Sequence, residues 1–425
     1  MKEIKLKGLD LSVFTKTLDN GLEVYFIPYE DKNNYFMTYA TRYGSTTTEF
    51  IPNNKKNKVK VPDGIAHFLE HKMFEQSSGE DPFTFFSKSG TGANASTSYD
   101  STQYICYGTK NFDKNLEYLL DFVNSPYYTD ENVEKEKGII AEELKMYLDI
   151  PDFKLENTLK ECVYKNHPRR IDIGGTVEEI NKITKEDLYL CYNNFYSPNN
   201  MFVLIAGNFN MDNALKIIEE QLSNKEKVNL PKISQVKEPT KVNKKEETII
   251  TDINIPKLGY AIKIPTSNLS IKEGIELNLY LSILTSIIFG SSSEFRERLR
   301  EQKILNGLYT DWETIENYKV LSIVASTEDI DKLISEINKE LKDINIDEAT
   351  FERIKKVWIA NEVKLTDYIE ATVSNIYDDL IRYKKIIPNR VELIRKMKLA
   401  KLNKLISEID FNNKAIVKMI SNNNN

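Results

Sequence analysis

The spacing of apolar residues divides the chain into strand-like and helix-like runs. Residues 17 to 28, TLDNGLEVYFIP, read as strand, turn and strand, with Asp19, Asn20 and Gly21 supplying the turn. FMTYATRYGS, from Phe36 to Ser45, is a further strand, and lysine and asparagine then crowd residues 53 to 60 into a polar loop. The first helix is predicted to begin at Asp63, after Pro62, because an Asp there can accept from free backbone N–H groups. NASTSYDSTQYICYG, residues 94 to 108, alternates small, polar and aromatic groups as strands do. Two helical runs follow, FDKNLEYLLDFVNSP and, from Thr129 or Asp130, a stretch through EKEKGIIAEELKMYLD. Residues 178 to 195 are helical again, and MFVLIAGNF, 201 to 209, is an apolar strand that stops at the glycine.

Residues 224 to 247 carry charge and two prolines but no hydrophobic face, as a linker does. Beyond them the pattern starts again. LGYAIKIP reads as a strand, GIELNLYLSILTSIIFG as a long apolar helix, RERLREQKI as an amphipathic one and VLSIVAS as another strand, before a mostly helical final third. The expected architecture is α+β, with one domain over 1–223, a linker over 224–247 and a second domain over 248–425. No direct repeat is visible between the halves.

Composition narrows the class. A chain of 425 residues, 40% hydrophobic and 10% aromatic, is a folded protein of two or three domains. No stretch approaches 18 consecutive apolar residues, and the N-terminus MKEIKLKGLDLS lacks the apolar run of a signal peptide, so no membrane association is expected. Cys106, Cys162 and Cys191 are odd in number and widely spaced, which points to buried thiols in a reducing compartment, the cytoplasm. A net charge of −6 argues against nucleic-acid binding.

Candidate chemistry concentrates in GIAHFLEHKMF, residues 64 to 74. On a helix His67, Glu70 and His71 share one face, while Ile65, Phe68, Leu69 and Met73 can serve the core. Two imidazoles one turn apart can hold one zinc ion, and the glutamate between them can take the proton of a water that the ion acidifies. The order HxxEH is the reverse of HExxH. A catalytic zinc wants three protein ligands and one open position. His167, the remaining histidine, sits in KNHPRR beside arginines, a poor place for a cation, so a carboxylate is the better third ligand. Of Glu136, Glu142 and Glu143, the first and last lie seven residues apart at nearly one angular position, and Glu142 lies about 100° away. A ligand and its support on one face favour Glu143 with Glu136; taken alone these glutamates would read as a plain solvated acidic stripe, and only the company of His67 and His71 reverses that reading.

HFLEH at 67–71 followed by EKGIIAEE at 136–143 resembles the inverted-zincin peptidases, the family of pitrilysin, insulin-degrading enzyme and the mitochondrial processing peptidase. SGTGANASTSYDSTQY and residues 174 to 209 are similar to further stretches of that family, and the length resembles its single-half bacterial branch. The resemblance implies two related domains, each a mostly antiparallel sheet with helices packed on it, forming half of a clamshell. It implies His67, His71 and Glu143 as zinc ligands, Glu70 as general base and Glu136 as their support. It implies an edge strand that grips a peptide through backbone hydrogen bonds, a mode that leaves side-chain selectivity loose. Asn94 and Ala95 would contact that substrate, although Asn94 could equally cap a turn.

One departure stands out. Family members that cleave peptides place an arginine and, seven residues later, a tyrosine on the substrate, whereas Arg300 and Tyr309 in LREQKILNGLYTDW are nine apart. An insertion within a helix would rotate one away from the other. Arg300 then reads as an amphipathic-helix charge, and Tyr309 stays open. The expected function is zinc-dependent endopeptidase on peptides or small unfolded proteins, working with a second subunit, either a copy or a related chain that supplies the arginine and tyrosine. The alternative is a non-proteolytic or weakly active subunit or scaffold.

Overall fold

Tyr35–Thr41 and Met201–Gly207 are buried at every position, and strands buried on both faces belong in the middle of a sheet. In the computed structural model, which describes residues 1–422 except 235, 267–268 and 316, these two strands are adjacent and antiparallel. Residue 235, in the predicted linker, and residues 423–425, at the end of the predicted second domain, lie outside the described residues. The seven-stranded sheet runs in the order Lys2–Lys5, Ser12–Thr17, Glu23–Pro28, Met201–Gly207, Tyr35–Thr41, Thr102–Gly108, Gly92–Thr97. Every neighbouring pair is antiparallel except Glu23–Pro28 with Met201–Gly207. Gly92–Thr97 therefore forms an open edge. Gly21, at a φ of 89°, turns the hairpin between Ser12–Thr17 and Glu23–Pro28, as the Asp-Asn-Gly signal predicts.

One core of this unit joins sheet residues such as Val24, Phe26, Met37 and Tyr104 to the helices Ile65–Met73, Phe112–Val123, Lys185–Phe195 and Met211–Leu222. A second core holds Val13, Tyr25, Phe202 and Leu204 against Ile369, Val373, Ile376 and Leu380 of the helix Ile369–Tyr383. That helix comes from far down the chain. The first compact unit comprises Met1–Lys145, Asp172–Gln235 and Val363–Arg390; the second comprises Met146–Ile171, Val236–Glu362 and Val391–Asn425. The units thus exchange segments relative to the expected division at 1–223 and 248–425.

The second unit is built on a five-stranded sheet in the order Glu246–Thr251, Lys414–Ser421, Lys257–Pro265, Tyr318–Thr327, Leu305–Ile315, with the first pair parallel. Helix Pro151–Val163 belongs here because Leu155, Leu159 and Val163 form an apolar stripe that packs on Ala261, Val320, Val324 and Val417. The stretch 224–247 is not a free tether. Lys232–Ile233 pairs with Glu49–Ile51 in the first unit, extending a small sheet that includes Val59–Lys60 from the predicted polar loop. Glu238, in the second unit, is buried and accepts from the backbone N–H groups of Lys165, Asn166 and His167 and from the Lys263 ammonium at 2.7 Å.

The run Ile271–Glu301 is long and apolar enough by composition to cross a membrane, with a mean hydropathy of 1.3 over its most apolar stretch, a criterion that polar interruptions do not break as they break a count of consecutive apolar residues. Half of its window is buried, and the helix Ile271–Phe289 is tied into the second unit by Trp312 Nε1 donating to Thr285 (2.7 Å) and Trp358 Nε1 to Ser286 (3.0 Å). Those ties are the marks of a core helix.

The histidine-bearing helix starts at Ile65, two residues later than the Asp63 expectation. Gly64 occupies the cap at a φ of 86°, and no side chain caps the helix. A Cβ on Gly64 would lie 2.3 Å from the Gly174 carbonyl oxygen. Gly64→Ala combines that clash with a left-handed backbone, which alone costs about 1–3 kcal/mol. We expect a lowered urea midpoint for this variant; an unchanged midpoint would show that the loop at Gly174 yields freely.

Candidate metal centre

The helical period places His67 and His71 one turn apart on the same face of Ile65–Met73, with ring centroids 4.5 Å apart. Ile65, Phe68, Leu69 and Met73 are buried on the opposite side and fix the helix to the sheet, as the apolar pattern predicts. The facing helix, Asp130–Leu148, is capped reciprocally: Thr129 Oγ1 accepts from Asn132 N, and Asn132 Oδ1 accepts from Thr129 N. Its register brings Glu143 and Glu136 to the two histidines. Glu143 Oε1 lies 3.9 Å from His67 Nε2, and its Oε2 lies 3.5 Å from His71 Nε2. His71 Nδ1 donates to Glu136 Oε1 at 3.0 Å.

This donor set fits a metal ion. One atom from each of His67, His71 and Glu143 lies within 4.8 Å of the others. Bonds of about 2.0–2.1 Å at tetrahedral angles require donor separations of about 3.4 Å, close to these. The Glu136 bond fixes hydrogen on His71 Nδ1 and leaves its Nε2 lone pair facing Glu143. His67 Nδ1 is buried without a hydrogen-bond partner among the described residues, so the polar engagement of that ring falls to Nε2. Two imidazoles and one carboxylate suit zinc and leave one position open.

The charges are arranged to match. Burial, aided by the nearby His71, pushes His67 down to about 4, so the ring is a free base near neutrality. Burial also opposes a charge on His71, but the hydrogen bond to Glu136 and the negative Glu136, Glu143 and Glu70 outweigh it and raise its pKa above 6.5. Glu136 is penalised by burial, yet its bond from His71 and the charges of His71, Lys72 and Lys135 hold it below the ordinary value. Burial lifts the Glu70 pKa above its ordinary value, opposed by a 2.6 Å hydrogen bond from Thr97 Oγ1 and by His71. A lifted carboxylate beside an open coordination position is a capable proton acceptor and donor.

Comparison with known proteins decides the lineage. Residues 57–177 match the family model described as insulinase (peptidase family M16), and 182–357 match the one described as the peptidase M16 inactive domain. YmfH of Bacillus subtilis, which bears the name of an uncharacterized zinc protease, is 37% identical over 89% of this chain and 88% of its own length. The chain belongs to peptidase family M16. Its place is in the single-half bacterial branch. The crystal structure of an M16-like peptidase from Alicyclobacillus acidocaldarius is 32% identical and superposes with a TM-score of 0.92 over 98% of this chain and 100% of that one. The mitochondrial-processing peptidase subunit beta of Caenorhabditis elegans is 28% identical over 44% of this chain and 42% of its own.

The remaining expected site residues of this M16 chain are spread out. Asn94 and Ala95 lie on the open edge strand, Asn94 exposed with its Oδ1 accepting from Ala95 N at 2.9 Å. Arg300 and Tyr309 do not share a helix, which corrects the insertion argument: Arg300 is exposed in the last turn of Glu294–Glu301, and Tyr309 stands on the strand Leu305–Ile315. The Tyr309 hydroxyl donates to Glu156. His167 caps a short 3-10 turn by accepting from Arg169 N, and Glu142 pairs with Lys145 at the surface, so neither belongs to the centre. Thr97 and Gly174 were missed by sequence reasoning. A Cβ on Gly174 would meet Leu144 at 2.7 Å and stand 3.6 Å from His67 Nδ1, so this glycine lets the loop pack beside His67. The Gly-Gly pair was the only signal, and it reads like any turn.

A metal ion binding here would have to displace a proton from His71 once the pH falls below that group's raised pKa. Affinity measured by chelator competition should be flat above it, then fall about tenfold per pH unit, steepening as His67 begins to titrate near 4. Affinity independent of pH between about 8 and 5 would exclude His71 as a ligand.

Proposed function

We propose that this chain is a zinc-dependent endopeptidase that hydrolyses extended peptides or small unfolded proteins in partnership with a second chain. The observation that carries the proposal is the convergence of His67, His71 and Glu143 within 4.8 Å, with Glu70 about one turn after His67 and directly before His71. Zinc, when bound there, supplies Lewis acidity to the scissile carbonyl and lowers the pKa of water. Glu70 accepts the proton of the attacking water and returns it to the leaving amine nitrogen. Thr97 holds one Glu70 oxygen at 2.6 Å. Glu136 keeps His71 in the tautomer whose Nε2 can bind.

Thr97 also ends the open edge strand Gly92–Thr97, so a peptide added along that edge would lie beside the base. Asn94 and Ala95 are the substrate contacts we assign there. The three cysteines are buried and unpaired, which fits a reducing compartment, and we place the chain in the cytoplasm. The partner is a second copy or a related chain. The name of the Caenorhabditis elegans relative, a beta subunit, supports a divided enzyme.

A second reading, a non-proteolytic or weakly active subunit or scaffold, has three observations in its favour. Arg300 and Tyr309 occupy separate elements, Tyr309 is engaged by Glu156, and the match over 182–357 is to a domain described as inactive. Glu70→Gln separates the two readings. The variant should bind zinc as the parent does while cleavage of a peptide mixture falls about 10²–10⁴-fold. Parent protein that is loaded with zinc yet inert, alone and with co-purified partner, would favour the scaffold. Thr97→Val removes a hydrogen bond that lowers the Glu70 pKa, so the acid limb of the pH–rate profile should move to higher pH. An unmoved limb would show that the bond does not act on the base.

A further inference from the structure

Lys72 directly follows the second histidine, and its side chain has no exposure at all. A lysine is almost never fully buried unless its charge is met, because desolvating an ammonium costs several kcal/mol. The helical period turns Lys72 away from the metal face and into the space between the two metal-bearing helices. There its Nζ donates to the Glu75 carboxylate and to the Asn132 carbonyl oxygen at 3.3 Å, and it lies 4.0 Å from Glu136 Oε2. The other Glu136 oxygen is the one that accepts from His71 Nδ1.

The carboxylate of Glu136 is thus shared, one oxygen on the ring and the other facing the ammonium. We propose that Lys72 is a positioning residue of the metal centre, holding Glu136 on His71 and tying the histidine helix to the first turns of the glutamate helix. The proposal rests on the zinc reading of the site. An apolar residue at position 72 would satisfy the packing there but would leave Glu136 free to rotate about its own side chain. Glu75, whose side chain is 37% exposed, can turn to water, whereas Glu136 at 12% has less solvent to turn to. Loss of the ammonium therefore falls mainly on Glu136, and through it on the orientation of His71.

Supporting groups of this kind change metal affinity by about 10–100-fold. The test is zinc affinity by chelator competition for the full chain, Lys72→Met, Glu136→Gln and the double variant, with circular dichroism as a check of folding. Lys72→Met should bind zinc about 10–100-fold more weakly, and should weaken it no further when added to Glu136→Gln. Should the methionine variant not fold, Lys72→Gln, whose amide can still donate to Asn132, takes its place with the same expectation. A folded variant that binds zinc within about twofold of the parent overturns the proposal. So do single effects that multiply in the double variant, because a residue that merely loosens the fold would not act through Glu136. Parent protein that binds no zinc, or His67→Ala that binds it as tightly as the parent, overturns the zinc reading as well.

Discussion

The hydrogen bond between His71 Nδ1 and Glu136 is the constraint on which the site depends. It joins two helices far apart in sequence, selects the tautomer of one ring and sets how Glu143, two turns further along, meets both rings. Neither helix could arrange this alone. The histidine helix is held from below by its apolar side and from its start by glycines that let backbone approach backbone. The glutamate helix is held by its cap and by Ile140 and Leu144 in the same core. Chemistry at this centre is a consequence of two ordinary amphipathic helices packed in a specific register.

Much of that was legible. The i, i+3, i+4 pattern of His67, Glu70 and His71 is a direct reading of helical geometry, and the seven-residue spacing of Glu136 and Glu143 gives the same face of a second helix. What spacing could not give was the contact between the helices, which is tertiary. Thr97 is an example. It approaches Glu70 only because the strand Gly92–Thr97 ends beside the histidine helix, and nothing local marks that residue among its small neighbours. Lys72 was hidden by its type, since lysine in a sequence reads as surface until its environment is seen.

The fold shows the same division. Apolar alternation identified the central strands and most helices, but outer strands such as Lys2–Lys5 and Leu305–Ile315 carry charged or exposed residues and gave no strand signal. Segment membership was the larger miss. The expected bounds 1–223 and 248–425 simply followed the chain, whereas the helices Pro151–Val163 and Ile369–Tyr383 are each placed by which sheet face their apolar stripe fits. The misplacement of Arg300 and Tyr309 has a similar root, because a helix ends between them.

The crossing of segments between units has a practical consequence for anyone wishing to express the half with the candidate metal centre by itself. A fragment ending at residue 223 would lack Ile369, Val373, Ile376 and Leu380, and would leave Val13, Tyr25, Phe202 and Leu204 bare on one face of its sheet. Such a fragment is an invitation to aggregate, since an uncovered apolar sheet face seeks any partner. A single cut near residue 223 therefore releases neither unit whole, because each is assembled from three separate stretches of the chain.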